Sequence, residues 1–231
     1  MAQERLVTPR VAVQVLLFIV LLPCLPLLVS GDGRWWQGWA FAALSIVGFA
    51  VSRGLAARRS PDLLAERAHT WEHQNAKAWD RPLLLLIGVG MAAALAVAGV
   101  ERRVGPVHAF GGPLHALALL GMAAGYALGA WAMIENRFFS GTVRIQADRG
   151  QQVVSSGPYA WVRHPGYAGA VLTYLLTPLL LDSLWALAPT ALLLAALVVR
   201  TAREDAALQA ELPGYRDYAA RVRYRLLPGV W

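Results

Sequence analysis

Long apolar runs separated by short polar segments dominate the chain. Four runs carry almost no charge over roughly the twenty residues that a helix needs to cross a bilayer, and two shorter runs follow. The runs are Val11–Val29, Trp36–Val51, Leu83–Val100, Pro113–Ile134, Tyr167–Leu181 and Leu184–Val199. This pattern predicts an all-α polytopic membrane protein with about six transmembrane helices. Strand and helix patterns do not alternate, which excludes soluble methyltransferase and dehydrogenase folds.

The last two runs predict a short helical hairpin. Each holds roughly 15 residues, or about 22 Å of helix, against a hydrocarbon core of about 30 Å. Asp182 and Ser183 leave room only for a tight turn between them. Beyond Arg200 the pattern predicts an amphipathic helix to about Leu212, and a second piece rich in Arg and Tyr follows a Pro-Gly pair. Both pieces are expected at the membrane surface.

The fourth run has a face of small residues, with Gly121, Gly125 and Gly129 spaced four apart. Such a face lets another helix approach closely. We expect it to serve packing inside the bundle, with dimerisation as the alternative. The sequence is therefore compatible with a monomer or a homodimer.

Composition and charge agree with a membrane protein, since 57% of the residues are hydrophobic and only 15% are charged. Of the 21 Lys and Arg residues, 18 fall in the N-terminal tail, the connections at 53–81 and 135–165, and the segment from Arg200. The positive-inside rule places these parts and both termini in the cytoplasm. Attraction to anionic membrane lipids explains the formal charge of +7, and no nucleic-acid-binding motif is visible. Lys77 is the only lysine, and the bias toward Arg and Ala suggests a prokaryotic inner membrane.

A polar, turn-rich segment, Gly157–Gly169 (GPYAWVRHPGYAG), lies between apolar runs. Irregular backbone at membrane depth is tolerated only where it lines a cavity or lies at the water boundary, so this segment is a candidate site. Pro165 biases His164 away from helical geometry and suits the first turn of the next helix. Arg200 and Glu204 share a helix face where the hairpin ends, and the hairpin returns them toward this segment.

One metal-binding pattern occurs, because His69 to His73 (HTWEH) match H-x-x-E-H. A third ligand would be needed, and no convincing candidate follows. We therefore predict no metal site.

The motifs around the hairpin resemble the isoprenylcysteine carboxyl methyltransferase family. GPYAWVRHPGYAG is followed by R-x-x-x-E-D after the hairpin, and then by PGYRDYAARVRYRLLP. The resemblance extends over Asn136–Trp231 and, more loosely, over Pro61–Asp80. It implies a catalytic methyltransferase region at 136–231, integrated in one domain with N-terminal transmembrane helices at 1–135 and a cytoplasmic loop at 53–81.

The resemblance also implies a cytoplasm-facing pocket for S-adenosylmethionine, with a lipophilic small molecule or a lipidated substrate as methyl acceptor. Arg163 and Arg200 would lie near the reacting end and, with Glu204, would carry the catalytic roles. Asp205 departs from the family, which commonly has Glu there. The residues implied to bind the cofactor are Tyr159, His164, Pro165, Tyr167, Gly169, Glu204 and Asp205.

These residue types suit a zwitterionic cofactor with an aromatic base and a sulfonium. A carboxylate acceptor is already ionised at neutral pH and needs only an arginine to hold it, a role that Arg163 or Arg200 fits. An amine acceptor would need Glu204 or His164 as a base. We expect carboxyl O-methylation of an isoprenylcysteine-like substrate. The alternatives are phospholipid-type N-methylation, a nicotinamide-dependent membrane reductase of the steroid-reductase type, and a non-catalytic scaffold or transporter. A transporter is expected to have ionisable residues in the middle of the membrane, and the nearly charge-free spans count against it.

Overall fold

The computed structural model describes residues 16–60, 63, 66–67, 75–106 and 108–231. Within these ranges the regular structure is helical throughout, which confirms the predicted all-α class. A π-helical turn, Leu16–Leu21, precedes seven α-helices that we number in chain order. They are α1 (Leu22–Ser30), α2 (Trp36–Arg59), α3 (Asp80–Val104), α4 (Gly112–Glu135), α5 (Pro165–Leu180), α6 (Leu187–Glu211) and α7 (Tyr215–Arg221).

Three helices, α2, α3 and α4, are each long and apolar enough to cross a membrane, as expected of a polytopic membrane protein. The first predicted run, Val11–Val29, lies partly outside the described residues, and its described part ends in α1. Helix α2 continues through Arg53 to Arg59, so the connection predicted to begin at Arg53 begins at Ser60 instead. Arginine and alanine are strong helix formers, and long arginine side chains can reach water from the end of an apolar helix.

The predicted helical hairpin is present as α5 and α6. Helix α5 is 16 residues long, and Asp182, at φ 52°, forms part of the turn that follows it. Helix α6 runs without a break from the apolar stretch into the charged segment after Arg200. The residues there are mostly Ala, Leu, Glu and Arg, which favour helix, and the first proline in that direction is Pro213.

The glycine face of α4 packs against α5, which confirms the expected internal role. A β-carbon added at Gly125 would lie 2.6 Å from the carbonyl oxygen of Gly169, and one added at Gly121 would overlap the side chain of Leu176. At Gly125 the two backbones therefore meet at a distance that only glycine permits. This contact holds the first turns of α5 beside the end of α4.

Gly125→Ala tests this contact. We expect the change to destabilise the protein by about 1–3 kcal/mol, because the added methyl group overpacks the α4–α5 contact. Gly129→Ala is the matched control, since a β-carbon there would meet nothing within 4 Å. Thermal unfolding of the two purified variants in detergent, followed by tryptophan fluorescence, gives the comparison. Equal midpoints for both variants would contradict the packing assignment.

The hairpin turn is fastened to the remaining helices by buried polar groups. The Asp182 carboxylate accepts a hydrogen bond from Gln37 Nε2 on α2 at 2.7 Å and pairs with His115 Nε2 on α4 at 2.8 Å. The buried Glu101 carboxylate of α3 accepts from the backbone N–H of Trp185 at 2.9 Å. These bonds secure this end of the bundle. We call the other end, where α2 and α4 end and α3 and α5 begin, the site end.

Candidate active site

The polar segment before α5 has the local structure that its proline predicts. His164 stands at φ −128° and ψ 62° as the N-cap residue of α5, and Pro165 is the first residue of the helix. The backbone N–H groups of Arg163 and His164 donate to the carbonyl oxygens of Tyr224 and Arg225, each at 2.9 Å. The chain after α7 therefore lies against this segment and holds its extended backbone in place.

Asp205 is the centre of a buried hydrogen-bond network at the site end. Its side chain is fully buried. Five side chains bond to its carboxylate, namely Arg163 at 2.7 Å, Gln209 at 2.8 Å, Arg225 at 3.0 Å, Tyr215 at 3.1 Å and His164 at 3.3 Å. Burial by itself would raise the pKa of Asp205, but the hydrogen bonds from His164 and Arg163 outweigh burial and hold the pKa well below its usual range. Asp205 is therefore an ionised cross-link between the start of α5, helix α6 and the C-terminal segment.

Arg163 uses its whole guanidinium group within the protein. Nε and one terminal nitrogen bond to Asp205, at 2.7 and 3.0 Å. The other terminal nitrogen donates to the carbonyl oxygens of Val222 and Arg223, at 2.7 and 2.8 Å. Burial alone would lower the pKa of Arg163, but the bond to Asp205 raises it, so the group stays charged with that charge balanced. The geometry gives Arg163 a clear role in holding the C-terminal segment.

Arg200 forms a second buried pair, with Asp80 at the start of α3. Its Nε lies 2.7 Å from Asp80 Oδ1, and the backbone N–H of Val143 donates to Asp80 Oδ2 at 2.8 Å. The guanidinium also bonds to the hydroxyl of Tyr167, and that hydroxyl donates to Glu204. A continuous chain of polar groups thus joins α3, α6 and α5 and ends on the Glu204 carboxylate.

A cavity of about 320 Å³ lies at the site end, within the size range of small-molecule sites. Its walls come from the loop between α4 and α5, the first turns of α5, the charged half of α6, and α7. The wall carries amides, charged groups and aromatic rings, among them Asn136, Phe138, Gln146, Gln151, Tyr159, Arg163, His164, Tyr167, Arg200, Glu204, Tyr215 and Tyr218. Burial raises the pKa of the Tyr159, Tyr215 and Tyr218 hydroxyls, so they act here as neutral groups.

The structure brings six of the predicted site residues to the wall of this cavity: Tyr159, Arg163, His164, Tyr167, Arg200 and Glu204. The other three do not border it. Pro165 begins α5, Gly169 faces the backbone of Gly125 in the helix contact, and Asp205 lies in the network described above. These three residues support the wall of the cavity from behind and do not border the cavity themselves.

Sequence reasoning missed Asp80 and the amides of the loop between α4 and α5. Asp80 lies 120 positions from Arg200, and no local pattern links the two. The sequence did contain one signal, because an arginine directly after an apolar run needs a carboxylate partner when it is buried. Gln146 gave no such signal; its buried amide donates to the carbonyl oxygen of Phe138 at 2.7 Å and shapes the loop. The H-x-x-E-H pattern, His69 to His73, lies outside the described residues.

A second cavity, of about 300 Å³, extends from the first toward the middle of the bundle. Residues of α1, α2, α3, α4 and α5 form its mostly apolar wall. The two cavities share five lining residues, Arg67, Phe139, Gly166, Ala170 and Tyr174. We call the first the polar cavity, after the charged groups and amides on its wall, and the second the apolar cavity; the two meet at the first turns of α5.

The long apolar helices define a polytopic helical membrane protein, and the two neighbouring cavities give it a candidate site at one end. Residues 116–210 match the isoprenylcysteine carboxyl methyltransferase (ICMT) family. The matched segment extends from α4 into the last turn of α6 and contains every predicted site residue, so the resemblance predicted from the sequence is confirmed there. The match indicates a membrane methyltransferase. No curated protein matches the chain.

Proposed function

We propose that the protein is an integral membrane methyltransferase that uses S-adenosylmethionine to methylate a lipophilic acceptor. The favoured reaction is carboxyl O-methylation of an isoprenylcysteine-like substrate. The observation that carries this proposal is the pair of unlike cavities with a common wall. A water-soluble methyl donor and a lipid-soluble acceptor need different surroundings. The two cavities that hold them must therefore meet at the place where the methyl group is transferred.

The side chains around the polar cavity fit S-adenosylmethionine. Glu204 offers an acid to an ammonium group or to ribose hydroxyls, and Arg200 offers a cation near a carboxylate. The rings of Tyr159 and Tyr167 suit an adenine and a sulfonium. His164 would complete this wall, while Pro165, Gly169 and Asp205 would keep its shape. When bound, the cofactor would supply an activated methyl group on a sulfonium.

The protein's own contribution to the reaction would be alignment and exclusion of water. Arg163 and Arg200 are held rigidly by Asp205 and Asp80, so they would place fixed dipoles and charge beside the reacting end. A carboxylate acceptor is ionised at neutral pH, and no group of the chain has to remove a proton from it.

The pH profile of methyl transfer separates the carboxylate from an amine acceptor. With a carboxylate we expect a rate that is nearly constant between about pH 6 and pH 9. A phospholipid-type amine would have to lose a proton to Glu204 or His164, so its rate would fall as the solution becomes more acidic. A steep fall on acidification would favour N-methylation.

The distribution of positive charge supports a proposal about the side of the membrane on which the site lies. Eighteen of the 21 Lys and Arg residues lie in segments that we assign to one side, together with both termini. We propose that this side, which includes the site end, faces the cytoplasm of a prokaryotic inner membrane, where S-adenosylmethionine is available.

Two substitutions test the cofactor site. Glu204→Gln and His164→Ala are each expected to weaken S-adenosylmethionine binding at least tenfold, or by about 1.4 kcal/mol, because each removes a polar contact from the cavity wall. Glu211→Gln is the control, since Glu211 lies on the same helix but is exposed and pairs with Lys77. Isothermal titration calorimetry of purified protein measures the affinities. Unchanged affinity in folded samples of both variants would reject the site, and titration with nicotinamide cofactors tests the reductase alternative.

Methyl transfer itself is tested with radiolabelled S-adenosylmethionine and a membrane lipid extract. We expect label in a lipophilic product, and treatment with base should release it as methanol, since esters are base-labile and N-methyl groups are not. Base-stable label would point to an amine acceptor. Absence of transfer to any lipid in the extract would count against the proposed function.

A further inference from the structure

The apolar cavity is not uniform along its length. Its far end, toward the middle of the bundle, is lined by hydrophobic side chains such as Leu22, Phe41 and Leu95. The end that meets the polar cavity carries two arginines, Arg53 near the end of α2 and Arg67 in the connection after it. This arrangement matches an amphipathic molecule with a long apolar tail and a negatively charged head.

Arg53 has unusual surroundings for a half-buried cation. One terminal nitrogen donates to the thioether sulfur of Met133 at 2.9 Å, and the guanidinium carbon lies 4.5 Å from the centre of the Phe49 ring. A thioether is a weak acceptor, and an aromatic face offers partial compensation only. Among the described residues no carboxylate pairs with Arg53, whereas Arg163, Arg200 and Arg144 each pair with at least one.

A second arginine, Arg67, lies at this end of the apolar cavity. Arg67 borders both cavities, and burial together with the neighbouring charge of Arg53 lowers the pKa of Arg67 to about 9. Two cations enclosed near each other repel, and an anion bound near them would relieve that repulsion. A ligand with a cationic head group would increase that repulsion.

We propose that Arg53 binds the carboxylate of the lipophilic methyl acceptor and is the residue that selects an anionic head group. The acceptor lies in the apolar cavity with its tail toward the middle of the bundle and its carboxylate at the common wall. This inference rests on the proposed function, and it moves the acceptor contact away from Arg163 and Arg200, whose charges are balanced by Asp205 and Asp80.

The test compares lipids that have the same chain and different heads. Tritiated palmitate binding to the full-length protein in detergent is measured by scintillation proximity, with hexadecanol and hexadecylamine as competitors. We expect the protein to bind palmitate at least tenfold more tightly than hexadecanol or hexadecylamine. Equal affinity for palmitate and hexadecanol in the unmodified protein would overturn the proposal, and this measurement needs no variant.

Variants then assign the preference to a residue. Arg53→Gln should remove the tenfold preference for palmitate, Arg53→Lys should keep part of it, and the exposed Arg58→Gln on the same helix should keep all of it. The affinity for S-adenosylmethionine should be unchanged in all three. A full carboxylate preference in Arg53→Gln would overturn the assignment.

The outcomes separate this inference from the proposed function. If the protein prefers palmitate but transfers no methyl group, the proposed function fails and the Arg53 site stands. If it transfers methyl groups while palmitate and hexadecanol bind equally, the function stands and the Arg53 site fails. If the protein both transfers methyl groups and prefers palmitate, Arg53→Gln should raise the KM for the acceptor at least tenfold and change kcat much less. This is the effect expected of a residue that binds the head group.

Discussion

Asp205→Ala is expected to destabilise the protein by about 3–5 kcal/mol and to abolish cofactor binding. The change removes the one carboxylate that Arg163, Arg225, His164 and Tyr215 share, and it leaves the buried Arg163 charge without its partner. The C-terminal segment should then detach from the start of α5. Thermal unfolding in detergent and calorimetric titration with S-adenosylmethionine measure the two effects.

A matched control for this change is Asp217→Ala, which removes the same charge from an exposed position in the first turn of α7. A surface carboxylate at a helix N-terminus contributes about 0.3–1 kcal/mol, so the control should melt close to the unmodified protein. Similar melting of Asp205→Ala and Asp217→Ala would show that the network around Asp205 does not hold the site end together.

The stability due to Asp205 should also depend on pH in a defined direction. Because its pKa is lowered in the folded protein, the carboxylate contributes its full stability above the ordinary Asp value of about 3.9 and loses it as the pH falls below that value. Asp205→Asn and the unmodified protein should therefore differ most near neutral pH and converge on acidification. If the two proteins instead differed more in stability below about pH 4 than at neutral pH, the predicted direction of the pH dependence would be wrong.

Asp80→Asn is expected to be nearly as damaging, because Arg200 would keep its charge in a buried position and lose its partner. The Arg200–Tyr167–Glu204 chain would lose its anchor on α3, so both stability and S-adenosylmethionine affinity should fall. Asp32→Asn at the opposite end is the control. Asp32 pairs with Arg102 where both side chains are about one-third exposed, and such pairs contribute about 0–1 kcal/mol.

A double variant separates stability from function at this pair. Asp80→Leu combined with Arg200→Met replaces two buried charges by apolar groups, and such replacements often restore stability. We expect the double variant to melt higher than Asp80→Asn and still to bind S-adenosylmethionine poorly, since the cavity wall has lost its cation. Recovery of cofactor affinity in the double variant would show that Arg200 acts only as a structural residue.

The sequence predicted the helices well, because the signal for each is local. Apolar length alone located α2, α3 and α4, and Asp182 with Ser183 located the turn of the hairpin. The boundaries at Arg53 and Arg200 were less reliable. Both arginines lie inside continuous helices because arginine favours helix, so the first charged residue after an apolar run does not mark the point where the helix ends.

The site was only partly predictable from the sequence, because the direction in which a side chain points depends on how the helices pack. Glu204 and Asp205 are neighbours in sequence, yet one faces the polar cavity and the other is buried in the arginine network. About 100° of helix rotation separates consecutive residues, so two neighbouring acids can have different surroundings on the same helix. Which of the two faces the ligand depends on how α6 is rotated against α5 and α7.

The sequence by itself determined the membrane class, the helical hairpin, the Gly157–Gly169 segment as the candidate site, and the family resemblance, because each is carried by composition or by neighbouring residues. The tertiary structure alone decided that Asp80 pairs with Arg200, that Arg163 is committed to Asp205, and that Arg53 borders an apolar cavity without a carboxylate partner among the described residues. These facts depend on contacts between helices that are distant along the chain. Packing brings such contacts about, and no local pattern encodes them.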